Sequence, residues 1–338
     1  MSRQKSLLVV DLGITDPYFN LAVEAYLYDN YSDDSLIFIL WQNDNTVVLG
    51  LNQSVFSQCD LDEIKSRNIH VARRRSGGGA VYHDMGNLNY TFISGYYDNV
   101  CADNMKTVVD ALLRSGIQAE LSGRNDITVE GRKISGNAFY RDDTKICHHG
   151  TLLVDADMSV MYKILNVDPL KWKDKGIASA RSRTVNLKDI DDRVTVDMIK
   201  RSLVDTVISQ HPDAEIRYCT ELSGDEAGAD QIAGLAGTFS SADWIYGKKL
   251  NETLQIKERF PWGTVEIQLL LEKNTVSDCV IYSDAMETEI IKKISSRINN
   301  AEFCRLSLEK ALEMNGLNDS EQTILSDILK LIAAETPY

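Results

Sequence analysis

The sequence lacks the features of a nucleic-acid-binding or membrane protein. Its 338 residues carry 36 Lys and Arg against 50 Asp and Glu, a formal net charge of −14 at pH 7, whereas nucleic-acid-binding domains normally present a basic surface. No apolar run approaches the roughly 20 residues of a membrane-spanning helix, and the apolar run 7–10 is too short for a signal peptide. We therefore expect a globular cytoplasmic protein with neither nucleic acid nor membrane as a partner.

The six cysteines lack the spacing of a zinc site or a redox pair. They are scattered between Cys59 and Cys304 with no CxxC pair, which fits a reducing compartment. The adjacent His148 and His149 offer no better metal site, because neighbouring residues of a strand point to opposite faces. We expect a structural or backbone-bonding role for one of these histidines.

Three common catalytic motifs are also missing. The sequence has no GxxxxGK[ST], so a nucleotide would not be held by a Walker loop. No GxGxxG follows the first predicted strand, which weakens a dinucleotide fold. Ser76 and Ser135 do not stand in the GxSxG pattern of α/β-hydrolases.

A run of three arginines leads directly into three glycines at residues 73–79, RRRSGGG. Glycine loses more backbone freedom on folding than any other residue, so a triple glycine is best explained where a ligand lies against bare backbone. The neighbouring guanidinium groups suit carboxylate and phosphate oxygens. A flexible surface turn is the alternative, but the β-prone segment that follows favours an anion site.

Residues 123–138, GRNDITVEGRKISGNA, predict a β-hairpin with Glu130-Gly131 as its turn. In the simplest register Thr128 pairs with Lys133, Ile127 with Ile134 and Asp126 with Ser135, which puts the polar members on one face. Asn125 and Asp126 are typical oxygen ligands for a magnesium–phosphate unit, which directs attention to Lys133 as a functional residue. An exposed hairpin with ordinary polar residues is the alternative.

A basic segment at 171–183 completes the inventory, and it is either a lid over a nucleotide or a plain charged loop. Arginines, a bare glycine backbone, one lysine and oxygen ligands suit attack of a carboxylate on the α-phosphate of ATP. A carboxylic acid is already ionised at pH 7, so this reaction needs no general base. It needs fixed positive charge and N–H donors that let two anions meet.

The periodicity of the chain predicts a mixed α+β fold. A first strand at 7–12 precedes a helix with Asp16 as its N-cap and Pro17 at its first position. Strands at 37–41 and 46–49 look paired around Asn43-Asp44-Asn45. The predicted pattern of secondary structure changes near residue 250, where two strands are followed by helices. We expect a large catalytic domain at 1–248 and a small accessory domain at 249–338.

Four long motifs resemble the lipoate–protein ligase A family: RRRSGGGAVYHDMGN (73–87), GRNDITVEGRKISGNA (123–138), HHGTLLVDADMS (148–159) and KDKGIASARSRTVNL (173–187). They occur in family order and spacing, and the resemblance covers nearly the whole chain. It implies a catalytic domain of mixed β-sheets flanked by helices, of the biotin/lipoate ligase type, plus a small α/β C-terminal domain.

The resemblance implies a two-step reaction with ATP, Mg²⁺ and (R)-lipoate. Lipoyl-AMP and pyrophosphate form first, and the lipoyl group then passes to a lysine of apo-lipoyl domains, those of 2-oxoacid dehydrogenase E2 subunits or of the glycine-cleavage H protein. A monomer is expected, with the C-terminal domain shifting during the cycle.

The resemblance also implies site residues. Lys133 would be catalytic and would contact both substrates. The residues that would contact ATP or the adenylate are Arg74, Gly79, Ala80, Val81, Tyr82, Thr151, Gly176 and Ser179. Contacts with lipoate fall to Arg73, Ser76, Gly77, Gly78, His83, Gly136 and His149, with Tyr90 helping to wall the tunnel for the apolar tail. Asp126 and Asn125 remain the predicted magnesium ligands.

Three rival functions use the same residues differently. An ATP-independent octanoyl or lipoyl transferase would form a thioester on a cysteine, for which Cys147 beside His148 is the candidate. A biotin–protein ligase is disfavoured because its GRGRxG-type motif is absent. A non-catalytic lipoate binder would leave Lys133, Asp126 and the triple glycine without a purpose.

Overall fold

An eight-stranded mixed sheet forms the centre of the larger part of the chain. The computed structural model describes residues 6–31, 35–123, 125–166, 183–219, 226–248 and 250–336. The eight strands of this sheet are β1 (Ser6–Asp11), β2 (Ser35–Trp41), β6 (Asn87–Gly95), β7 (Glu120–Ser122), β8 (Asp126–Val129), β9 (Arg132–Arg141), β10 (Lys145–Leu153) and β11 (Glu215–Cys219), in the order β11-β1-β2-β6-β10-β9-β8-β7. Strand β1 is parallel to β2 and β11, and the other pairs are antiparallel.

Helices cover both faces of this sheet. On one face α4 (Val100–Arg114) packs against α6 (Val196–Gln210), and on the other α1 (Pro17–Asp29) packs against α7 (Glu226–Phe239). Strand β2 shows why two layers are needed: Leu36, Phe38 and Leu40 belong to the first core, whereas the alternating residues Ile37, Ile39 and Trp41 belong to the second. The start of α1 is as predicted, with the Asp16 carboxylate accepting from the backbone N–H of Tyr18 and Phe19.

A second sheet of three strands carries the arginine–glycine segment. It consists of β3 (Thr46–Leu49), β4 (His70–Arg73) and β5 (Val81–His83), in the order β4-β3-β5. The predicted pairing of β3 with β2 is wrong, because the two strands belong to different sheets. Asn43 between them is fully buried and accepts from Asn20 Nδ2 at 3.0 Å, so the chain turns inward instead of closing a hairpin.

The other helices that the structure describes in this part are short and flank the small sheet. They are α2 (Val55–Gln58), α3 (Leu61–Ser66), α5 (Met158–Ile164) and α8 (Ala242–Tyr246), and a 3-10 turn spans Leu187–Asp189. Among the helices that the structure describes, none combines the length and apolar composition needed to cross a lipid bilayer.

The C-terminal part has a core of its own. Strands β12 (Leu254–Phe260), β13 (Gly263–Glu272) and β14 (Thr275–Ser283) form an antiparallel sheet that is covered by α9 (Thr288–Ile298), α10 (Arg305–Ala311) and α11 (Asp319–Ala333). The predicted α+β class, with mixed sheets, flanking helices and a small α/β C-terminal unit, is confirmed. The boundary between residues 248 and 249 stays a prediction.

Candidate active site

A cavity of about 150 Å³ lies where the small sheet meets β9 and β10 of the large sheet. Eleven of the residues predicted from sequence line it: Arg74, Gly78, Gly79, Ala80, Val81, His83, Asn125, Lys133, Gly136, His149 and Thr151. Segments that are far apart in the chain therefore converge on one site, although the role of each residue stays a prediction. Gly176 and Ser179 lie outside the described residues.

The cavity is also lined by residues that sequence reasoning missed. They are Trp41, Val48, Asn89, Asn137, Ala138 and Gly150. Asn89 lies in β6, where Asn87, Asn89 and Thr91 alternate with Leu88, Tyr90 and Phe92, and this row of buried polar residues is the signal that could have revealed it. Tyr90 is fully buried and donates from Oη to Asn137 Oδ1 at 2.5 Å, so it supports the cavity from the core. The apolar part of the lining comes from Trp41, Val48 and Ala138.

The three consecutive arginines have three different environments. Arg73 lies outside the cavity, and its guanidinium donates to backbone carbonyls of Gly50, Leu51, Gln53, Trp244 and Ile245. These bonds give Arg73 a structural role, and its expected contact with lipoate stays a prediction. Arg75 forms a surface ion pair with Asp29 at 2.8 Å.

Arg74 organises the glycine loop from inside. Its Nη2 donates to the carbonyls of Gly77 at 2.5 Å and Gly79 at 2.8 Å, its Nη1 to Val48 O at 3.1 Å, and its Nε to Ser76 Oγ at 2.9 Å. Burial lowers the pKa of Arg74 to about 10, which still leaves it charged at neutral pH. The loop therefore folds around a fixed cation, with Ser76 buried beneath it and not on the lining.

The three glycines are required for different reasons. A Cβ on Gly77 would lie 2.3 Å from the carbonyl oxygen of Ala285, so Gly77 is needed for close packing against the C-terminal part. Gly78 has a φ of +83°, which favours glycine. A Cβ on Gly79 would meet nothing within 4 Å, so of these three glycines Gly79 has the most open space beside it. The expected contacts of these glycines with a ligand stay predictions.

The predicted hairpin is present but its register differs. Glu130 and Gly131 form the turn with φ of 52° and 72°, and Thr128 pairs with Lys133 as expected. A bulge beyond this pair brings Ile127 opposite Ser135 and Asp126 opposite Gly136, so the expected pairs Ile127–Ile134 and Asp126–Ser135 are wrong. The extra residue turns Ser135 into the core, where it is fully buried.

Lys133 lies at the mouth of the cavity. Its ammonium pairs with Asp126 Oδ1 at 2.7 Å, and the two side chains are 38% and 35% exposed. A Cβ on Gly136 would lie 3.0 Å from Nζ, so glycine at 136 lets the lysine side chain fold over the strand. The backbone of Lys133 pairs with the segment 183–185, through its N–H to Arg183 O and its carbonyl to the N–H of Val185.

Tyr82 and His83, both on β5, differ in their relation to the cavity. Tyr82 lies beside the cavity and not on its lining, with its hydroxyl donating to Asn45 Oδ1 at 3.2 Å. His83 Nδ1 faces the amide groups of Asn43 at 3.2 Å and Asn89 at 3.5 Å. Because amide N–H groups donate, Nδ1 accepts and the proton lies on Nε2, which has no partner among the described residues. His83 Nε2–H is thus a buried donor that a ligand could satisfy.

Buried neutral histidines predict that acid destabilises the fold. Burial lowers the pKa of His83 and of His148 to about 3, below the usual value of about 6.5. Below pH 6.5 the unfolded chain binds these protons and the folded chain does not, so the free energy of unfolding falls by up to about 1.4 kcal/mol per pH unit for each histidine. Urea unfolding between pH 7.5 and 5.0 would measure the slope. His148→Phe should reduce it by one proton, and an unchanged slope would contradict this assignment.

Comparison with known proteins agrees with this geometry. Residues 16–208 match the family model for the lipoyl protein ligase A/B catalytic domain, and residues 251–332 match the model for the bacterial lipoate protein ligase C-terminus. The chain is 33% identical to the lipoate-protein ligase A of Psychrobacter cryohalolentis over 97% of this chain and 98% of that protein.

Solved structures show the same fold. Plasmodium falciparum LipL1 in complex with lipoate has a TM-score of 0.83 at 26% identity, covering 98% of this chain and 100% of that one. A bipartite lipoate protein ligase from Thermoplasma acidophilum, described with its E2 lipoyl domain, gives a TM-score of 0.64 at 27% identity over 74% and 100% of the chains. A lipoate-protein ligase A bound with ATP gives 0.62 at 26% identity over 72% and 99%. With both family models matched and a relative aligned along nearly its whole length, the chain belongs to the lipoate–protein ligase A family and is a ligase enzyme.

Proposed function

We propose that this ligase activates lipoate with ATP, releases pyrophosphate, and passes the lipoyl group from lipoyl-AMP to a lysine of an apo-lipoyl domain. The acceptors would be lipoyl domains of 2-oxoacid dehydrogenase E2 subunits and the glycine-cleavage H protein. Relatives of the same fold that bind lipoate, bind ATP and are described with an E2 lipoyl domain support this assignment. One observation carries it: the partly exposed Lys133 and the glycine loop that Arg74 holds line the same cavity.

The first step requires two anions to meet. Within the described part of the chain, Arg74 donates to Ser76 Oγ and to the carbonyls of Val48, Gly77 and Gly79, which uses four of its five N–H groups. It would therefore fix the loop, and one Nη1–H would remain for the predicted contact with ATP. Among the described residues, the backbone N–H groups of Gly79 and Ala80 have no partner, and both residues line the cavity. These amides and the Lys133 ammonium are the donors that would neutralise the α-phosphate and the carboxylate.

The lipoyl chain would occupy the interior of the cavity. Trp41, Val48 and Ala138 offer apolar surface for the hydrocarbon tail. The buried Nε2–H of His83 would donate to a polar atom of the bound substrate, since an unsatisfied buried donor costs about 1–3 kcal/mol. In the second step Lys133 would polarise the anhydride carbonyl that the acceptor lysine attacks.

The predicted magnesium ligands fit a cation that arrives with ATP. Asp126 uses Oδ1 for Lys133, and Asn125 uses Nδ2 to donate to Asn137 O at 2.9 Å, which leaves the second carboxylate oxygen and Asn125 Oδ1 as hard oxygen donors. Mg²⁺ typically binds through one or two such groups plus substrate phosphates and water. When bound it would offset phosphate charge, while the hairpin holds Lys133 in place.

The decisive experiment measures lipoate-dependent exchange of pyrophosphate into ATP, followed by mass spectrometry of an E2 lipoyl domain. We expect exchange only with lipoate and Mg²⁺ present, and a mass increase of one lipoyl group on the acceptor. Lipoylation without ATP would identify a transferase, and binding of lipoate without any exchange would identify a carrier. Either result would overturn the proposal.

The Cys147→Ala variant tests the transferase alternative directly. Cys147 is fully buried and does not line the cavity, and burial raises the pKa of its thiol well above the usual value, so no reactive thiolate is available. We expect the rate of lipoylation to stay within about threefold of the wild type, since a buried cysteine behaves as a small apolar side chain. A loss of all transfer in a folded variant would restore the thioester mechanism.

A further inference from the structure

A chain of buried hydrogen bonds connects helix α1 to the glycine loop. Glu24 of α1 is 3% exposed, and its carboxylate lies 2.9 Å from His149 Nδ1. His149 Nε2 lies 2.7 Å from Ser76 Oγ, which also lies 2.9 Å from Arg74 Nε. On the other side Thr91 Oγ1 donates to Glu24 Oε2 at 2.8 Å. Neither Glu24 nor Thr91 lines the cavity.

Donor counting fixes the direction of this chain. Arginine has no acceptor, so Arg74 donates to Ser76. Among the described residues, the only other polar atom bonded to Ser76 Oγ is His149 Nε2, so the hydroxyl proton goes there. His149 Nε2 therefore accepts, and its proton lies on Nδ1 and points to the carboxylate. In this series of hydrogen bonds every donor therefore points toward the Glu24 carboxylate.

Glu24 can serve as this terminal acceptor because it stays ionised. Burial alone would raise the pKa of its carboxyl, but His149 and the Thr91 hydroxyl hold the pKa below its usual value. The thiol of Cys147 lies beside the same groups, and the ligand atoms of Glu24, Cys147 and His149 lie within 4.8 Å of one another, close enough for a metal ion. The carboxylate and Nδ1 already satisfy each other, which favours a hydrogen-bonded relay over a metal site.

We infer that Glu24 is a positioning residue for the anion-binding loop: it selects the Nδ1–H tautomer of His149, which orients Ser76 to hold Arg74 against the carbonyls of Gly77 and Gly79. This role rests on the proposed function, because the loop is assigned there to bind the activated substrate. It differs from a direct contact, since Glu24 acts through three intervening side chains. The geometry of a loop at one end of the site is thus set by a carboxylate on a helix behind it.

The test combines a tautomer measurement with kinetics in Glu24→Gln. Nitrogen-15 NMR of the imidazole groups reports the tautomer of each of the five histidines, and His149→Gln assigns the relevant signals. We expect a single Nδ1–H tautomer in the wild-type protein and a mixed or reversed one in Glu24→Gln. Lipoate-dependent pyrophosphate exchange should fall about 10- to 100-fold in kcat, by analogy with the loss of partners that orient metal-ligating histidines. Glu24→Asp should restore the tautomer and part of the rate.

A matched control separates positioning from lost stability. Val10→Ala removes fully buried apolar atoms from the core cluster that contains Trp41 and Cys147, and the valine side chain forms no hydrogen bond with any member of the relay. Even if Val10→Ala loses as much free energy of unfolding as Glu24→Gln, it should keep the His149 tautomer and a kcat within about threefold of wild type. An unchanged tautomer in Glu24→Gln, an equal loss of kcat in Val10→Ala, or a stoichiometric metal found by elemental analysis would each overturn the relay. The NMR result does not depend on turnover, so failure of the proposed function would be recognised separately by the absence of exchange in the wild type.

Discussion

Replacing Lys133 by alanine should abolish pyrophosphate release while the protein stays folded. The ammonium at the mouth of the cavity is the one described side-chain cation on the lining whose charge is not spent on backbone carbonyls, and it pairs only with the half-exposed Asp126. Its loss removes the charge that would stabilise the transition state, and we expect kcat for lipoate-dependent exchange to fall at least about 100- to 1,000-fold. The free energy of unfolding should change by less than about 1 kcal/mol, because a half-exposed ion pair contributes little.

Lys106→Ala provides the control for Lys133→Ala. Lys106 is 67% exposed on α4 and forms a comparable ion pair with Asp110 at 2.9 Å, outside the cavity. Its removal should leave exchange unchanged. Near-normal exchange in Lys133→Ala, measured beside this control, would remove Lys133 from the mechanism and with it the proposed geometry of adenylation.

Replacing Arg74 by lysine should damage both stability and activity although the charge is conserved. The guanidinium bonds Ser76 Oγ and three carbonyl oxygens in different directions, and a single ammonium cannot reach all of them. One or two buried carbonyls left without a donor, at about 1–3 kcal/mol each, predict a loss of roughly 2–4 kcal/mol in unfolding free energy. We expect exchange to fall about 100-fold because the glycine loop loses its fixed shape, and urea unfolding with kinetics measures both effects.

The neighbouring arginine is a close control. Arg75 is 27% exposed and bonds Asp29 on the surface, so Arg75→Lys should cost less than about 1 kcal/mol and leave exchange intact. If both lysine variants behaved alike, the loop would not depend on the buried guanidinium, and the structural argument for Arg74 would be wrong.

The hairpin shows how far local sequence information reaches. The Glu130-Gly131 turn and the pairing next to it were predicted, because turn residues impose positive φ locally. The bulge beyond Thr128 was not predicted. It depends on the core, where Ser135 forms hydrogen bonds with Tyr90 and Asn137. Strand β2 gives a second case. Its residues 36–41 are apolar throughout, so their alternation between two cores could not be deduced from the pattern.

The sequence by itself determined which segments carry the family motifs and which family the chain belongs to, because the glycine run, the hairpin lysine and their flanking motifs are encoded in short continuous segments. Only the tertiary structure decided which of the three arginines lines the cavity. Arg73 donates to the backbone carbonyls of Trp244 and Ile245, and the close approach of Ala285 requires glycine at position 77. In both cases the partner is more than 170 positions away in the chain. The relay from Glu24 to Arg74 was likewise invisible in the sequence. Contacts between distant segments are fixed only when the sheets and helices pack, so no local pattern can encode them.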